Sequence, residues 1–469
     1  MMSKRILWGV VFSLVVGFTG SAHASNFGDT YGFGATGIAM GNAMTAVVSD
    51  WSSVYYNMGG LGKTVHLKGA AVKDEGDSAL SLKKKEEGAK EESAAPRKAY
   101  LNQLAVSYMY NMPGTSIDYK GTNTLEETDV PASSHIILGV VIDLNLIYEM
   151  PKFISSARLG LGLGANGDGT IVKLNDIDPR THDYLRLGRE EQKSMILVGA
   201  GFGFLNDAFG FGVGANVGFK GQGSVIMDNV DIDGDPQTPD SQAKMDLSAM
   251  PTLLAGIYFS PGQIWSAVKG LELGISYRQE HYMVIDPFNA AAVTTAVTMQ
   301  LVMAIYDYYS PDIYTFGAAY SRWKTTFSFD IDYQLWSKNR YSSTLTKNNP
   351  DLPKFQDIMC PKLGVKHDAL SWLSIMAGYI YQPSFIPDSA VTGAYNFLDN
   401  DKHILSLGTK FLVPQLGGFR GPIEITLGYQ YQGFVPRTVR KDDPANPDNP
   451  SYAYGGSAQS VILEVTMKL

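Results

Sequence analysis

One cysteine, Cys360, stands in 469 residues, so the chain forms no intrachain disulfide and no thiolate metal cluster. Charged side chains are few, at 18%, and no extended Lys/Arg patch occurs, which argues against a nucleic-acid partner. Beyond residue 24 there is no run of about eighteen apolar residues, which excludes a spanning helix. His135, His182, His281, His367 and His403 are scattered without metal-ligand spacing. No Ser or Cys sits in a nucleophile motif. We therefore expect no enzyme, no cofactor and no metal.

Glycine and aromatic residues are abundant: 49 Gly, 26 Tyr and 21 Phe. The first 24 residues read as a signal peptide. Lys4 and Arg5 precede an apolar core from Ile6 to Phe18, and Ala22-His23-Ala24 predicts cleavage after Ala24. An exported chain without a spanning helix is a periplasmic or secreted β-protein, or an outer-membrane barrel.

Periodicity favours the barrel. Val461, Leu463, Val465, Met467 and Leu469 alternate with Ser460, Ile462, Glu464, Thr466 and Lys468. Ile423 to Gln432 and Phe327 to Leu335 repeat the period of two. Glycine fills part of the polar face at Gly210, Gly212, Gly214 and Gly218, and apolar faces tend to end in Tyr, Phe or Trp, as an interfacial girdle requires. About fourteen strands can be placed between residues 100 and 469, joined by alternating short turns and long polar loops. Sorting of loops by length belongs to outer-membrane barrels. The expected fold is all-β: a transmembrane antiparallel β-barrel of about 14 strands, in the outer membrane of a Gram-negative bacterium. Val284 to Pro311 is long for one strand and carries an apolar AAAVTTAVTMQLVMAI. It reads either as a bulged strand or as a short helix followed by a strand.

Ahead of the strands, Tyr31 to Leu61 is rich in small residues and nearly uncharged. Gly32, Gly34, Gly37 and Gly41 punctuate its start, a run from Ile38 to Val48 follows, and Ser49-Asp50 stands where a helix N-cap would. A barrel of this size is too wide for its own side chains to fill. This segment has the composition to fill it, as a small helical hatch inside the lumen. The expected organisation is a signal peptide at 1–24, a hatch at 25–61, a charged flexible insertion at 62–98 containing LKKKEEGAKEES, and the barrel at 99–469.

The stretch GFGATGIAMGNAMTAVVSDWSSVYYNMGGL resembles the N-terminal signature of the FadL/TodX-type outer-membrane transporters of long-chain fatty acids and hydrocarbons. That signature runs from a Gly/Ala-rich start to an acidic residue, a Tyr-Tyr-Asn and a Gly-Leu. Asp50, Trp51, Tyr55, Tyr56, Asn57, Gly60 and Leu61 match it. Ser310 to Ser337 and Gly378 to Phe411 are similar to later segments of that family. The resemblance implies a fourteen-stranded barrel with an internal hatch and passive import of hydrophobic molecules. Ligand would be captured near the outer loops, move to a pocket against the hatch, and leave through a lateral opening after the hatch rearranges. Three departures stand out. Asn57-Met58-Gly59 replaces Asn-Pro-Ala, the loop at 228–243 is short and acidic, and the chain ends in Leu469 rather than an aromatic residue.

Strand parity points Arg158, Lys220, Arg278, Glu280, Asp330, Asp332, Lys362, Glu424 and Glu464 into the lumen. Such charges serve as salt-bridged structure. Alternatively, Lys220, Arg278 or Lys362 holds a fatty carboxylate. Trp336, Met376 and Ile380 share that face and line an apolar ligand path or pack on the hatch. Asp228 to Asp240 resembles part of a calcium loop but lacks the closing Glu, and reads as a solvated acidic loop. The expected partners are hydrophobic small molecules, with outer-membrane lipid and lipopolysaccharide around a monomeric barrel. A surface-exposed binding or adhesion protein using the barrel as a platform is the alternative.

Overall fold

The structure, a computed structural model, describes residues 27–64, 102–119, 130–167, 182–187, 194–228, 241–293, 298–338, 355–388, 396–414, 421–441 and 450–469. The signal peptide, nearly all of the 62–98 insertion and most of the acidic loop at 228–240 lie outside the described residues. No described helix is long and apolar enough to cross a membrane.

Fourteen strands form the wall. The first seven are β1 (Gln103–Tyr119), β2 (Ser133–Asp143), β3 (Ile154–Asn166), β5 (Met195–Phe204), β6 (Phe209–Asp228), β7 (Ser241–Phe259) and β8 (Leu271–Arg278). The others are β11 (Ile313–Arg322), β12 (Thr325–Gln334), β13 (Ile358–Leu370), β14 (Leu373–Gln382), β16 (Lys402–Val413), β17 (Ile423–Val439) and β18 (Tyr452–Lys468). Each pairs antiparallel with the next, and β18 returns to β1 from Gln103↔Lys468 to Tyr119↔Tyr452, closing the barrel. Short turns gather at one end, including Trp323-Lys324, and the long connections gather at the other.

The period of two becomes an inside and an outside. Leu159, Val213, Ile275, Phe329, Leu407 and Leu463 are exposed on the outer face, while Arg158, Asp330, Ser406 and Glu464 are buried in the lumen. Exposed Tyr148, Phe153, Trp265, Trp323 and Trp372 ring the short-turn end, the position of an interfacial aromatic girdle.

Neither expectation for Val284 to Pro311 is met. The region is a β-hairpin, β9 (His281–Val293) and β10 (Thr298–Ser310), attached to the outer part of β6. Two strands share the length that sequence periodicity reads as one bulged strand or a helix. A small parallel pair, β4 (Asp183–Tyr184) with β15 (Phe397–Leu398), ties two long-end connections together.

Candidate functional site

The lumen is occupied by residues 27–63. Their backbone makes only short turns of helix: α1 (Phe27–Thr30), α2 (Ala35–Ala39), α3 (Ser53–Tyr56) and a 3-10 turn at Met58–Gly62. The Ile38–Val48 run is not helical throughout, because the chain reverses at Gly41 and Asn42, whose φ values are 60° and 55°. A side chain at Gly41 would strike the backbone of Tyr379 and Leu363, so the turn fits the wall only with glycine. Asp50 precedes α3 by more than a cap position. Its Oδ1 accepts from Ser52 N at 2.9 Å and from Ser52 Oγ at 2.6 Å, shaping the turn into the helix.

The wall makes room by leaving out side chains. Inward glycines on five strands seat the hatch: Gly139 under Trp51, Gly162 under Phe33 and Val54, Gly212 under the Met58 carbonyl, Gly378 under Gly41 and Gly408 under Ala39. A Cβ at Gly139 would lie 2.1 Å from the Trp51 ring. Much of the contact is apolar, with Phe27, Phe33, Trp51, Val54 and Leu61 all buried beside Ile137, Val141, Met376 and Ile462.

Polar wall residues then take up the hatch's backbone groups, which a buried segment must have paired. Glu464 accepts from Ala35 N at 3.0 Å and from Trp51 Nε1 at 3.4 Å. Asp330 accepts from Thr45 N at 2.8 Å, and Gln103 from Trp51 N at 3.1 Å. Gln430 and Gln432 donate to the carbonyls of Tyr31 and Thr30 at 2.9 and 2.8 Å. Arg158 donates to the carbonyls of Leu61 at 2.6 Å, Ser49 at 3.2 Å and Gly60 at 3.3 Å, and also to that of Lys63. One buried guanidinium thus holds the segment where it leaves the lumen.

The residues matching the family signature lie in this contact. Tyr56 OH donates to Asn42 at 2.6 Å and accepts from Phe33 N at 3.0 Å, while Tyr55 OH donates to Asp29 at 2.8 Å. Asn57 joins three places. Its Oδ1 accepts from Gly59 N at 2.9 Å, and its Nδ2 donates to Thr45 O at 2.7 Å and Ile257 O at 2.9 Å. Met58, where the family signature has proline, wedges its side chain into the space over Gly199 and Gly214. A proline has no side chain long enough to do this. Gly60 packs on the Val48 carbonyl, and Leu61 is fully buried.

The candidate ligand-binding residues separate. Arg278 and Lys362 line one enclosed polar cavity of about 30 Å³ between hatch and wall, together with Ile380, Asp29, Asp332 and Gln382. Both cations are already paired there, Arg278 with Asp29 at 2.7 Å and Lys362 with Asp332 at 2.5 Å. Met376 packs in the shared core. Trp336 lies beyond the end of β12, stacked on Phe385 with ring centroids 4.0 Å apart. Phe355, Ile358 and Ile386 complete that second apolar cluster, at the long-loop end. Lys220 joins none of these. It is exposed on the part of β6 beyond Asn216, where β9 rather than β5 pairs with β6.

Some residues of the site carry no motif. Asp29 is a lone charge just before the hatch, and Gln430 and Gln432 are legible only as the polar face of a strand. Arg186 donates no sequence signal at all, yet its guanidinium lies 4.5 Å over the Phe385 ring and 5.0 Å over that of Trp336. Its carbonyl accepts from Thr30 Oγ1 at 3.1 Å, which links the apolar cluster to the hatch.

No family model matches the chain. Alkane uptake protein A of Marinobacter nauticus is 21% identical over 354 residues, 72% of this chain and 75% of that protein. The solved structure of the TodX deltaS2S3 mutant monoaromatic hydrocarbon channel superposes with a TM-score of 0.50 at 11% identity, covering 93% of this chain and 99% of that one. The deltaS2 mutant of the same channel gives 0.50 at 12% identity, covering 94% and 100%. The chain thus shares the fold of these solved channels and is an outer-membrane β-barrel with its N-terminal segment seated in the lumen.

Proposed function

We propose that the chain imports hydrophobic molecules passively across the Gram-negative outer membrane, with the hatch as its gate. One observation carries the reading. Among the described residues, the hatch packs against the wall and leaves beside Arg278 and Lys362 a cavity of only about 30 Å³. That is room for a water or two, and far less than a site for a small organic ligand, ~300 Å³ or more. A ligand therefore passes only when part of the hatch moves. The names of the relatives, an alkane uptake protein and a monoaromatic hydrocarbon channel, support an apolar cargo. Hydrocarbons and long-chain fatty acids are its two classes.

In this reading the cluster of Trp336, Phe355, Phe385 and Ile386 takes up the ligand at the long-loop, outward end. The ligand then displaces the hatch turn beside Ile380, Arg278 and Lys362, with Met376 beneath. Asp50, Trp51, Tyr55, Tyr56, Asn57, Gly60 and Leu61 hold the gate shut until then. The barrel works as a monomer among outer-membrane lipid and lipopolysaccharide, and needs no energy source beyond the gradient of its cargo.

The test is uptake of labelled hexadecane, toluene and oleate by a deletion strain and by the complemented strain. Entry of at least one should fall in the deletion strain. Unchanged entry of all three would refute transport and favour a surface-binding role. Deleting residues 30–61 should turn the purified barrel into a steadily conducting pore in planar bilayers.

A further inference from the structure

The apolar stretch between β8 and β11 plays no part in the reading above, and its attachment to the wall is unusual. Each ladder between wall strands is antiparallel. In contrast, β9 pairs parallel with β6, from Lys220↔Val284 to Asp228↔Val293, with an irregularity between Gly221 and Gly223. The place for it exists because β5 stops short: its ladder with β6 ends at Leu197↔Asn216. Beyond Asn216 that edge of β6 has no β5 to bond.

To reach this edge from the end of β8, the chain crosses the inner face of β7 and β6. His281 marks the crossing. Its Nδ1 lies 3.0 Å from Thr252 Oγ1, and its ring takes the space of a side chain at Gly218, with Cε1 2.3 Å from where a Cβ would stand. The hairpin is therefore joined to the wall along one edge only, by slanted parallel pairs that are less stable per residue than antiparallel ones. Among the described residues, β9 is the one strand paired with β10, and near its end Tyr309 packs on Trp336 with ring centroids 6.0 Å apart.

The strand that precedes the hairpin and the strand that ends it both reach one carboxylate of the hatch. Arg278, the last residue of β8, pairs with Asp29 at 2.7 Å. Ser310, the last residue of β10, donates from Oγ to Asp29 Oδ2 at 2.7 Å. The hatch, β8 and the hairpin meet at Asp29.

We propose that the β9–β10 hairpin is a displaceable piece of the wall interlocked with the hatch. Zipped onto β6, it holds the first turn of the hatch in the lumen through Ser310 and Asp29, and the two leave their seats together. This rests on the hatch being the moving element, and it adds a second moving part.

The test uses the full-length protein in planar bilayers, in a Cys360→Ala background whose folding is checked by heat-modifiable migration. Asp29→Asn loosens the junction and should raise the opening frequency roughly tenfold, as a loss of about 1.4 kcal/mol would. Ser224 and Asn289 are register partners across the β6–β9 ladder. Ser224→Cys with Asn289→Cys, added to Asp29→Asn, should suppress those openings when oxidised and restore them when reduced. A control disulfide across a fixed ladder, at the partners Leu427 and Leu463, should leave them unchanged. Equal opening frequencies in the oxidised and reduced hairpin variant would overturn the interlock. So would a Ser224/Asn289 cysteine pair that stays unlinked in folded protein while both thiols react with maleimide. No openings in reduced Asp29→Asn protein would overturn the hatch as moving element, and the interlock with it.

Discussion

Asp29 of the hatch and Arg278 of β8 stand 2.7 Å apart, and the Arg278 guanidinium also lies 4.3 Å from the centre of the Tyr55 ring. The pair ties the first turn of the hatch to the wall. Arg278→Met keeps the packing on Tyr55 and removes the charge, leaving Asp29 with Ser310 and Tyr55 alone. Removing one partner of a fully buried pair costs about 3–5 kcal/mol. Here the two side chains remain 18% and 17% exposed, so roughly 2 kcal/mol is expected. The midpoint of heat-induced unfolding, followed by gel migration, should fall by a few degrees, and single-channel recordings should show brief openings more often than in the unaltered protein.

The same carboxylate sets an acid limit on the closed state. Burial alone would raise the Asp29 pKa. The Arg278 charge, with hydrogen bonds from Ser310 and Tyr55, outweighs burial and holds it below the ordinary value of 3.8. A carboxylate whose folded pKa is depressed stabilises the fold fully above its unfolded value. That contribution is lost as pH falls through the folded value. The latch should therefore be indifferent to pH from neutrality down to about 4 and weaken only in stronger acid. Conductance of the unaltered protein should stay level from neutrality to about pH 4 and rise only below it. In Asp29→Asn the rise should be absent, because the variant has already lost the charge.

Asn57 and Gly256 make a second, independent tie. The Asn57 Oδ1 atom would lie 2.0 Å from a Cβ at Gly256, so Gly256→Ala must push the amide off its carbonyl partners. Asn57→Ala removes the same hydrogen bonds without adding bulk, leaving the Ile257 and Thr45 carbonyls short of donors at a cost of about 1–3 kcal/mol. Both variants should assemble as barrels and both should leak small ions, Gly256→Ala at least as much as Asn57→Ala. Liposome swelling measures this. A tight Gly256→Ala barrel would mean that the hatch yields at this point without losing its seal.

The wall was legible because its physics repeats: alternation in β12, β17 and β18 and the sorting of connections by length yield fourteen strands and a lumen. The hatch was legible for a related reason, since an uncharged glycine-rich segment ahead of a wide barrel has one place to be buried. What parity reports is only which face a residue occupies. It placed Arg278, Asp332 and Lys362 in the lumen, where they lie, but parity does not report exposure, and Lys220 stands exposed past the end of the β5 ladder. Nor does alternation report a partner. Val284 to Pro311 has the composition of strand, and nothing local to it tells that β9 bonds the far edge of β6 in parallel, since that depends on where β5 ends. Asp29 was visible as a charge but not as a junction, because Arg278 and Ser310 reach it from 249 and 281 positions away in the chain.

The pairing of Lys362 with Asp332 separates the two classes of cargo. Their side chains are 13% and 4% exposed and 2.5 Å apart, so the lysine is not free to meet an incoming carboxylate while the hatch is seated. A fatty acid would have to break that pair, whereas a hydrocarbon gains nothing from it. Lys362→Met alone leaves Asp332 buried without its cation and should destabilise the barrel whatever the cargo. Lys362→Met with Asp332→Leu removes both charges and replaces them by apolar groups of similar size, a change that is often neutral for stability. Cells carrying the double variant should take up labelled hexadecane and toluene at the parental rate. Oleate entry should fall severalfold if Lys362 receives the carboxylate once the hatch has moved. Equal oleate entry in parent and double variant would remove Lys362 from the path and leave Arg278 as the lumenal cation to test next.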